Sequence, residues 1–390
     1  MRTVYLVRHG QPDTGFPGQK VCLGRKDVPL THEGEKQAER LARWFRGKEL
    51  SGMYTSPLAR CRQTAEILAI KSGHASLPLQ TVEDFAEVDT GLWDGLPFPK
   101  IREQFPKEFE ERGTHLGNYV LPGGESFAEA GARFASAFWT LYENTERDLM
   151  ITAHAGVIRA FLCGLTGMDA DCLMEWNLPY ASVTVLEERG DAVQKPAGGK
   201  LIVRTAGLRP AASLSLSEAD RMWAECRVPV HIREHMETVA DLSLQLIGYD
   251  LGLARSDVLD EAYAFRGQKL NTRLLYFAAL LHDIRRTEGG RIHPEAGAEY
   301  LEKQGYLELA PLVRMHHDPE VYRPQEALSE AEILYYADKL VQGSRLVSLE
   351  ERFGESLKKC TTDEAKHMHA LRRQAAEGIA KKLQIQTYTN

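Results

Sequence analysis

An α/β three-layer domain with a mostly parallel sheet, followed by an all-α domain, is the architecture that the sequence predicts. At 390 residues the chain is about two to three times a typical domain. Short apolar runs alternate with helical patterns in its first half, and strand-like runs disappear after about residue 217. With 43% hydrophobic and 26% charged residues, disordered and fibrous classes are excluded. Net charge is 48 minus 55, or −7, split as 24 minus 27 up to residue 208 and 24 minus 28 beyond it. Neither half is a basic surface, so no polymeric nucleic-acid partner is expected. Six cysteines without a C-x-x-C pair suit free thiols in a reducing compartment. The N-terminus turns polar by its eighth residue and no apolar run approaches the ~20 residues of a membrane span. A cytoplasmic protein with no membrane partner is expected, with its oligomeric state open.

Three segments read as short buried strands: Thr3 to Val7, Gly52 to Thr55 and Leu149 to Thr152. Between the first two, Thr31 to Trp44 carries a helix start at Thr31 and apolar residues Leu41, Trp44 and Phe45 at helical spacing. Ser182 to Glu187 and Lys200 to Thr205 read as further strands flanking a turn-rich stretch at 190–199. Residues 1–207 are therefore expected to form the first domain, 208–217 (with RPAASLSLS) a linker, and 218–390 the second. There, Glu234 to Ile247 and Leu274 to Ile284 are amphipathic helical runs, and no convincing strand is present.

Arg8-His9-Gly10 follows the first strand, Ser56 to Glu66 (SPLARCRQTAE) the second, and Thr152 to Arg159 (TAHAGVIR) the third. Open α/β sheets place ligands beyond the carboxyl ends of their strands, so Arg8, His9, Arg60 and His154 are expected in one pocket. Guanidinium forks orient a phosphate, and a neutral imidazole nitrogen attacks phosphorus in line. Neighbouring cations keep such a histidine unprotonated. The leaving alkoxide needs a proton, for which Glu87 is the candidate, with Glu83, Asp84 and Asp89 as alternatives.

These matches, together with GRKDVPLT at 24–31, VDTGLWDG after Glu87 and PGGES at 122–126, resemble the histidine phosphatase superfamily, whose fold is phosphoglycerate-mutase-like. The resemblance covers about residues 1–190. It implies His9 as the phosphorylated nucleophile, Arg8, Arg60 and His154 as holders of the phosphoryl group, Glu87 as proton donor, and no cofactor. Residues 157–187 look most like the α-ribazole phosphatase group. One departure is that Gln11 is followed by Pro12 and Asp13, so the hydroxyl usual near the phosphate is absent and Thr14 is the substitute at hand.

The second half holds eight of the thirteen histidines. His235, His282-Asp283 and Asp338 fall on three helical segments, with His293 and His316-His317 between the last two. Such a nitrogen and oxygen shell suits iron, manganese, zinc or nickel better than calcium. The ordered pattern resembles the HD-domain phosphohydrolase superfamily over residues 218 to about 350. It implies His235, His282, Asp283 and Asp338 as a single-metal shell, His293, His316 and His317 as additions in two-metal subgroups, and metal-assisted hydrolysis of a phosphate ester. His231 occupies a place where some members carry a carboxylate. Arg285 and Arg286 stand where a lysine often follows the His-Asp pair, and His367 and His369 read as solvated surface residues.

The combined expectation is a bifunctional phosphohydrolase acting on small phosphorylated substrates, with a phosphate ester or nucleotide as the substrate of the second half. Two other readings are a mutase-type phosphoryl transfer in the first half, for which 93–122 is the sole stretch that offers cover, and a second half that senses a ligand without chemistry.

Overall fold

The computed structural model describes residues 2–188, 201–249, 259, 262–289 and 292–384; the turn-rich stretch at 190–199 lies outside them. Two compact units divide the chain, Met1–Ser213 and Leu214–Asn390.

In the first unit the strands are β1 (Thr3–Arg8), β2 (Val21–Cys22), β3 (Leu50–Thr55), β4 (Leu79–Thr81), β5 (Leu96–Pro97), β6 (Asp148–Ala153), β7 (Val183–Glu188) and β8 (Leu201–Leu208). Six of them make one sheet in the order β4-β3-β6-β1-β7-β8, and β2 pairs with β5 in a separate ribbon. β4, β3, β6 and β1 are mutually parallel, whereas β7 runs antiparallel to both of its neighbours, β1 and β8. Alternation along the strands supplies both faces of the sheet. Val4, Leu6, Leu149 and Ile151 pack with Phe134, Phe138, Phe161 and Leu162 of α5 (Phe127–Glu143) and α6 (Ala155–Thr166). Tyr5, Val7, Met53 and Met150 pack with Leu41, Phe45 and Leu68 of α1 (His32–Phe45) and α2 (Ala59–Ser72). This is the three-layer sandwich that the strand and helix alternation predicts. Helix α1 starts where Thr31 Oγ1 accepts from Gly34 N at 3.0 Å. Between β5 and α5, helices α3 (Phe98–Gln104) and α4 (Pro106–Thr114) cluster with Cys22, Trp93 and Leu121 in a small core of their own.

The division between the two units, after Ser213, falls within residues 208–217, which are packed chain rather than a loose connection up to Leu214. β8 ends at Leu208, Ala211–Ser213 form a 3₁₀ turn beside α1, Leu216 opens the next helix, and residues 208–214 are all buried. Pro and Ser read as punctuation there, but the Ala and Leu among them are small enough to pack.

The second unit is helical: α7 (Leu216–Glu225), α8 (Val230–Gln245), α9 (Thr272–Leu281), α10 (His293–Lys303), α11 (Ala310–Met315), α12 (Glu330–Lys339), α13 (Leu349–Leu357) and α14 (Asp363–Leu383). Its core joins Met236 and Leu244 of α8, Leu275 to Leu281 of α9, Ile333 to Ala337 of α12 and Ile379 of α14. Two short hairpins, Tyr263–Phe265 with Gln268–Leu270 and Val341–Gln342 with Arg345–Leu346, interrupt the expected all-helical pattern. Strands of two or three residues are too short to show a period.

Candidate active site and candidate metal centre

The parallel register brings four strand ends to one edge, with Arg8 opposite Ala153 and Thr55 opposite Thr152. Each strand delivers its group in the next few residues: His9 after β1, Ser56 and Arg60 after β3, Glu87 after β4, His154 after β6. The His9 and His154 rings are 5.1 Å apart. His9 Nδ1 donates to Gly10 O at 2.7 Å, which fixes the tautomer and leaves Nε2 with the lone pair. Arg60 is fully buried. Its Nε donates to His154 Nδ1 (3.2 Å), Nη1 to Lys26 O (2.9 Å) and Nη2 to Gly24 O (2.8 Å). Each terminal nitrogen has a second hydrogen left for a ligand oxygen. His154 Nε2, carrying the proton, then donates to Ser56 Oγ at 2.7 Å. Arg8 stacks over Tyr180 at 3.9 Å and donates to Leu178 O.

Glu87 is clamped by backbone at the start of α6. Its Oε1 accepts from Val88 N and Val157 N, both at 2.9 Å, and its Oε2 from Gly156 N at 3.0 Å. A Cβ on residue 156 would lie 2.6 Å from Glu87 Oε1, so the approach requires glycine there. Of the acidic alternatives, Glu83 and Asp84 are exposed, and Asp89 caps the turn at Gly91 N. Arg8, Glu87 and Thr14 line a cavity of about 960 Å³ that His9, Arg60 and His154, all buried, adjoin through these neighbours. Arg25 and Arg133, absent from the sequence-based set, donate to Glu87 O (2.9 and 3.0 Å) and both pair with Glu125. Their only signal was membership of GRKDVPLT and proximity to PGGES.

Burial, then Arg60 and Arg8, push His9 well below the usual imidazole range. Burial does most of this; the cations expected from sequence come second. His154 is pushed down in the same way. An unfolded chain protonates these rings near pH ~6.5 and the folded one only well below it, so stability is full above that pH and declines as pH falls beneath it. In ¹⁵N-histidine-labelled protein, the His9 signal, assigned with His9→Gln, is expected to keep neutral-ring shifts at about pH 5.5. A titration midpoint near ~6.5 would contradict this environment.

In the second unit the seven expected residues fall into two groups, His235, His282 and Asp338, and Asp283, His293, His316 and His317, with the donor atoms of each group within 4.8 Å of one another. Three rings are anchored through Nδ1 to backbone carbonyls: His235 to Gly343 O (2.8 Å), His282 to Ala279 O (2.7 Å) and His316 to Val313 O (2.5 Å). This turns their Nε2 lone pairs inward, as metal-binding imidazoles require. His282 Nε2 and Asp283 Oδ1 are buried without a hydrogen-bond partner, although His293 Nε2 lies only 2.8 Å from that oxygen. Converging, unsatisfied acceptors of this kind fit a cation. Burial opposes charge on Asp338, but Lys339, His235 and His282 hold its carboxyl well below the usual range. Lys339 Nζ donates to Asp338 Oδ2 (2.7 Å) and His316 O (3.3 Å), a positioning contact that sequence reasoning missed. Arg286 reaches within 3.6 Å of Asp283 Oδ1, whereas Arg285 pairs with Glu288. His231 is exposed and joins neither group. His367 is exposed as expected, but His369 is half-buried against Ser356 and Phe353.

Fold and site together define a phosphoric ester hydrolase. The pattern of the histidine phosphatase superfamily (branch 1) matches residues 4–195 and that of the HD domain residues 232–342. Phosphatase PhoE of Bacillus subtilis is 30% identical over 190 residues, 48% of this chain and 89% of that one. Phosphoserine phosphatase 1 of Hydrogenobacter thermophilus is 28% identical over 50% of this chain and 92% of its own. The 6-phosphofructo-2-kinase/fructose-2,6-bisphosphatase of Caenorhabditis elegans is 28% identical over 48% of this chain, a match spanning only 39% of that protein. Among solved structures, Bacillus stearothermophilus YhfR is 29% identical with a TM-score of 0.46, covering 53% of this chain and 97% of its own. The α-ribazole phosphatase of Shigella flexneri is 19% identical with a TM-score of 0.45, covering 53% and 96%. The chain belongs to the histidine phosphatase superfamily and carries an HD domain. Among the described residues no helix is long and apolar enough to cross a membrane.

Proposed function

We propose that the chain is a bifunctional phosphohydrolase with two independent sites. In the first unit, Nε2 of His9 attacks the phosphorus of a small phosphomonoester, the alkoxide leaves, and water then hydrolyses the phosphohistidine. The observation that carries this reading is the juxtaposition of a neutral His9, oriented by Gly10 O, with the arginines Arg8 and Arg60. Arg8 and Arg60 neutralise the phosphoryl oxygens, while His154, held between Ser56 and Arg60, orients the Arg60 fork. Glu87 Oε2 accepts a single backbone bond, which leaves a lone pair for the proton that it passes to the alkoxide.

In the second unit His235, His282, Asp338, Asp283, His293, His316 and His317 would hold one or two divalent ions (iron, manganese, zinc or nickel). Such ions, when bound, supply Lewis-acid polarisation of a phosphate ester and activation of water. Asp283 and Asp338 provide the negative charge that retains them, Lys339 keeps Asp338 in place, and Arg286, whose Nη1 lies against Asp283 and His293 (3.6 and 3.0 Å), would turn to a substrate phosphate oxygen. A nucleotide or related ester is the substrate class.

Glu87→Gln tests the assignment of the acid. With an alkyl phosphate, kcat/KM is expected to fall about a hundredfold or more, and with 4-nitrophenyl phosphate, whose leaving group needs no proton, less than about tenfold. Equal losses on both esters would remove Glu87 from that role.

A further inference from the structure

We infer that Glu125 is a positioning residue for proton delivery in the phosphatase site: it holds Arg25 and Arg133 as two arms on the backbone carbonyl of Glu87, and so sets where the Glu87 carboxyl meets the leaving oxygen. This rests on the phosphohistidine reading above, with Glu87 as its acid.

Glu87 does not sit on a regular element. It follows β4 and a 3₁₀ turn at Glu83–Phe85, so contacts from other segments must fix its backbone. Two guanidiniums supply them. Arg25 Nε and Arg133 Nη2 both donate to Glu87 O, at 2.9 and 3.0 Å, and Arg133 Nη1 donates to Asp84 O at 2.6 Å. Glu125 ties these arms to each other and to the same stretch. Its Oε1 accepts from Arg25 Nη2 (3.2 Å), Arg133 Nη2 (2.7 Å) and Asp89 N (2.9 Å), and its Oε2 accepts from Arg133 Nε (3.0 Å). In return Glu125 N donates to Asp89 O at 2.9 Å, an approach that needs glycine at 124, where a Cβ would lie 2.5 Å from that oxygen. Burial opposes charge on Glu125, but Arg133, the Asp89 amide and Arg25 hold its carboxyl below the usual range, so it is the counter-ion of both arms.

None of Arg25, Glu125 and Arg133 lines the cavity that Arg8 and Glu87 share, so contact with substrate does not account for two cations and an anion at this place. The platform beneath them is rigid. Arg133 stands on α5 beside Phe134, whose ring meets that of Phe85 in the 3₁₀ turn at 4.6 Å. At the other end of the residue, the α6 amides of Gly156 and Val157 grip the carboxyl itself. Glu87 is thus held twice, its backbone by Glu125 and the arginines and its side chain by α6, while Oε2 keeps a lone pair for the proton. Proton transfer requires the acid within hydrogen-bond reach of the leaving oxygen, and a misplacement of about 1 Å can cost about a hundredfold. Two charge-assisted bonds on one carbonyl supply that precision only while an anion keeps the two guanidiniums together.

The test follows the phosphorylation step alone, in the full chain. Wild type, Glu125→Gln, Glu87→Gln and the double variant are mixed with an alkyl phosphate or with 4-nitrophenyl phosphate, and acid quenching gives the rate constant of phosphohistidine formation. In Glu125→Gln that constant should fall about tenfold or more with the alkyl ester and less than about threefold with the nitrophenyl ester, whose leaving group needs no proton. Half-saturating concentrations should stay within about threefold of wild type for both, because Glu125 does not line the cavity. In the Glu87→Gln background, adding Glu125→Gln should cost less than about a further twofold, as it must when one residue acts through the other. Glu125→Asp, which keeps the charge, should recover part of the rate. Should Glu125→Gln fail to fold, Arg25→Gln removes one arm from a side chain that is 42% exposed, and the same leaving-group pattern is expected. Equal losses on the two esters, or a full loss that persists without the Glu87 carboxyl, would overturn the inference. With a Glu87→Gln variant that is itself selective for the alkyl ester, those results sink the positioning role alone. Equal losses on both esters in Glu87→Gln sink the assignment of the acid and the positioning role with it.

Discussion

His9→Ala should abolish phosphomonoesterase activity, with kcat falling by about 10³-fold or more, and should leave any metal-dependent activity of the second unit unchanged. The size of the loss follows from the geometry. Arg8, Arg60 and His154 remain in the variant, yet none of them presents a free lone pair: the guanidiniums have none, and both His154 nitrogens are engaged by Arg60 and Ser56. No neighbouring group therefore replaces Nε2 as nucleophile. The fold should survive, because the backbone bonds at this position, His9 N to Ala153 O and Ala181 N to His9 O, both at 3.1 Å, do not involve the side chain. Acid quenching of wild type with a ³²P-labelled ester should trap phosphohistidine, and the variant should trap none. The lifetime of that adduct also separates hydrolysis from mutase chemistry. Decay in water within one turnover supports a phosphatase, and an adduct that outlives turnover assigns phosphoryl transfer to a second substrate hydroxyl. If His9→Ala also removed activity dependent on added metal, the two sites would not be independent.

The parts of this molecule that local chemistry controls were legible in its sequence. β1, β3 and β6 are buried apolar runs, and the residues that follow them inherit their positions from the sheet edge, so the convergence of His9, Arg60 and His154 follows from counting along strand ends. Thr31 capped α1 where its side chain predicted. What failed to show depends on tertiary pairing. β4 has three residues with little burial, a poor periodic signal for a strand that nevertheless delivers Glu87. Arg25 and Arg133 look like surface arginines until Glu125 and the Glu87 carbonyl are brought to them. Lys339 sits next to Asp338 in sequence, but its role needs the His316 carbonyl from another segment. Burial of residues 208–214 was hidden by a composition that suits a linker equally well.

Asp283→Ala should empty the second unit of metal more completely than loss of any histidine there. Its two oxygens face different groups: Oδ1 lies 2.8 and 3.4 Å from His293 and His316, and Oδ2 lies 3.8 and 4.0 Å from His282 and His235. One substitution thus withdraws an anionic donor from both clusters. Asp338 divides differently, with Oδ1 toward His235 and His282 (3.2 and 3.6 Å) and Oδ2 already held by Lys339. His317, whose ring is 3.9 Å from Asp338 Oδ2, belongs to one group only. Elemental analysis of protein purified without chelator should therefore find up to about two equivalents of transition metal in the wild type, about one fewer in His317→Ala, and less than about 0.2 in Asp283→Ala. Because the ions bind the folded chain alone, the same order should appear in thermal stability, by about 2.7 kcal/mol for each site held at a hundredfold excess over its Kd. Asp283→Ala protein with undiminished metal would break the link between this carboxylate and the two clusters. Wild type with no bound metal would favour a second unit that senses a ligand without chemistry. Activity alone does not separate these outcomes, since a non-catalytic HD unit and a demetallated one are equally silent, whereas the ratio of ions lost in His317→Ala and Asp283→Ala reads the geometry itself.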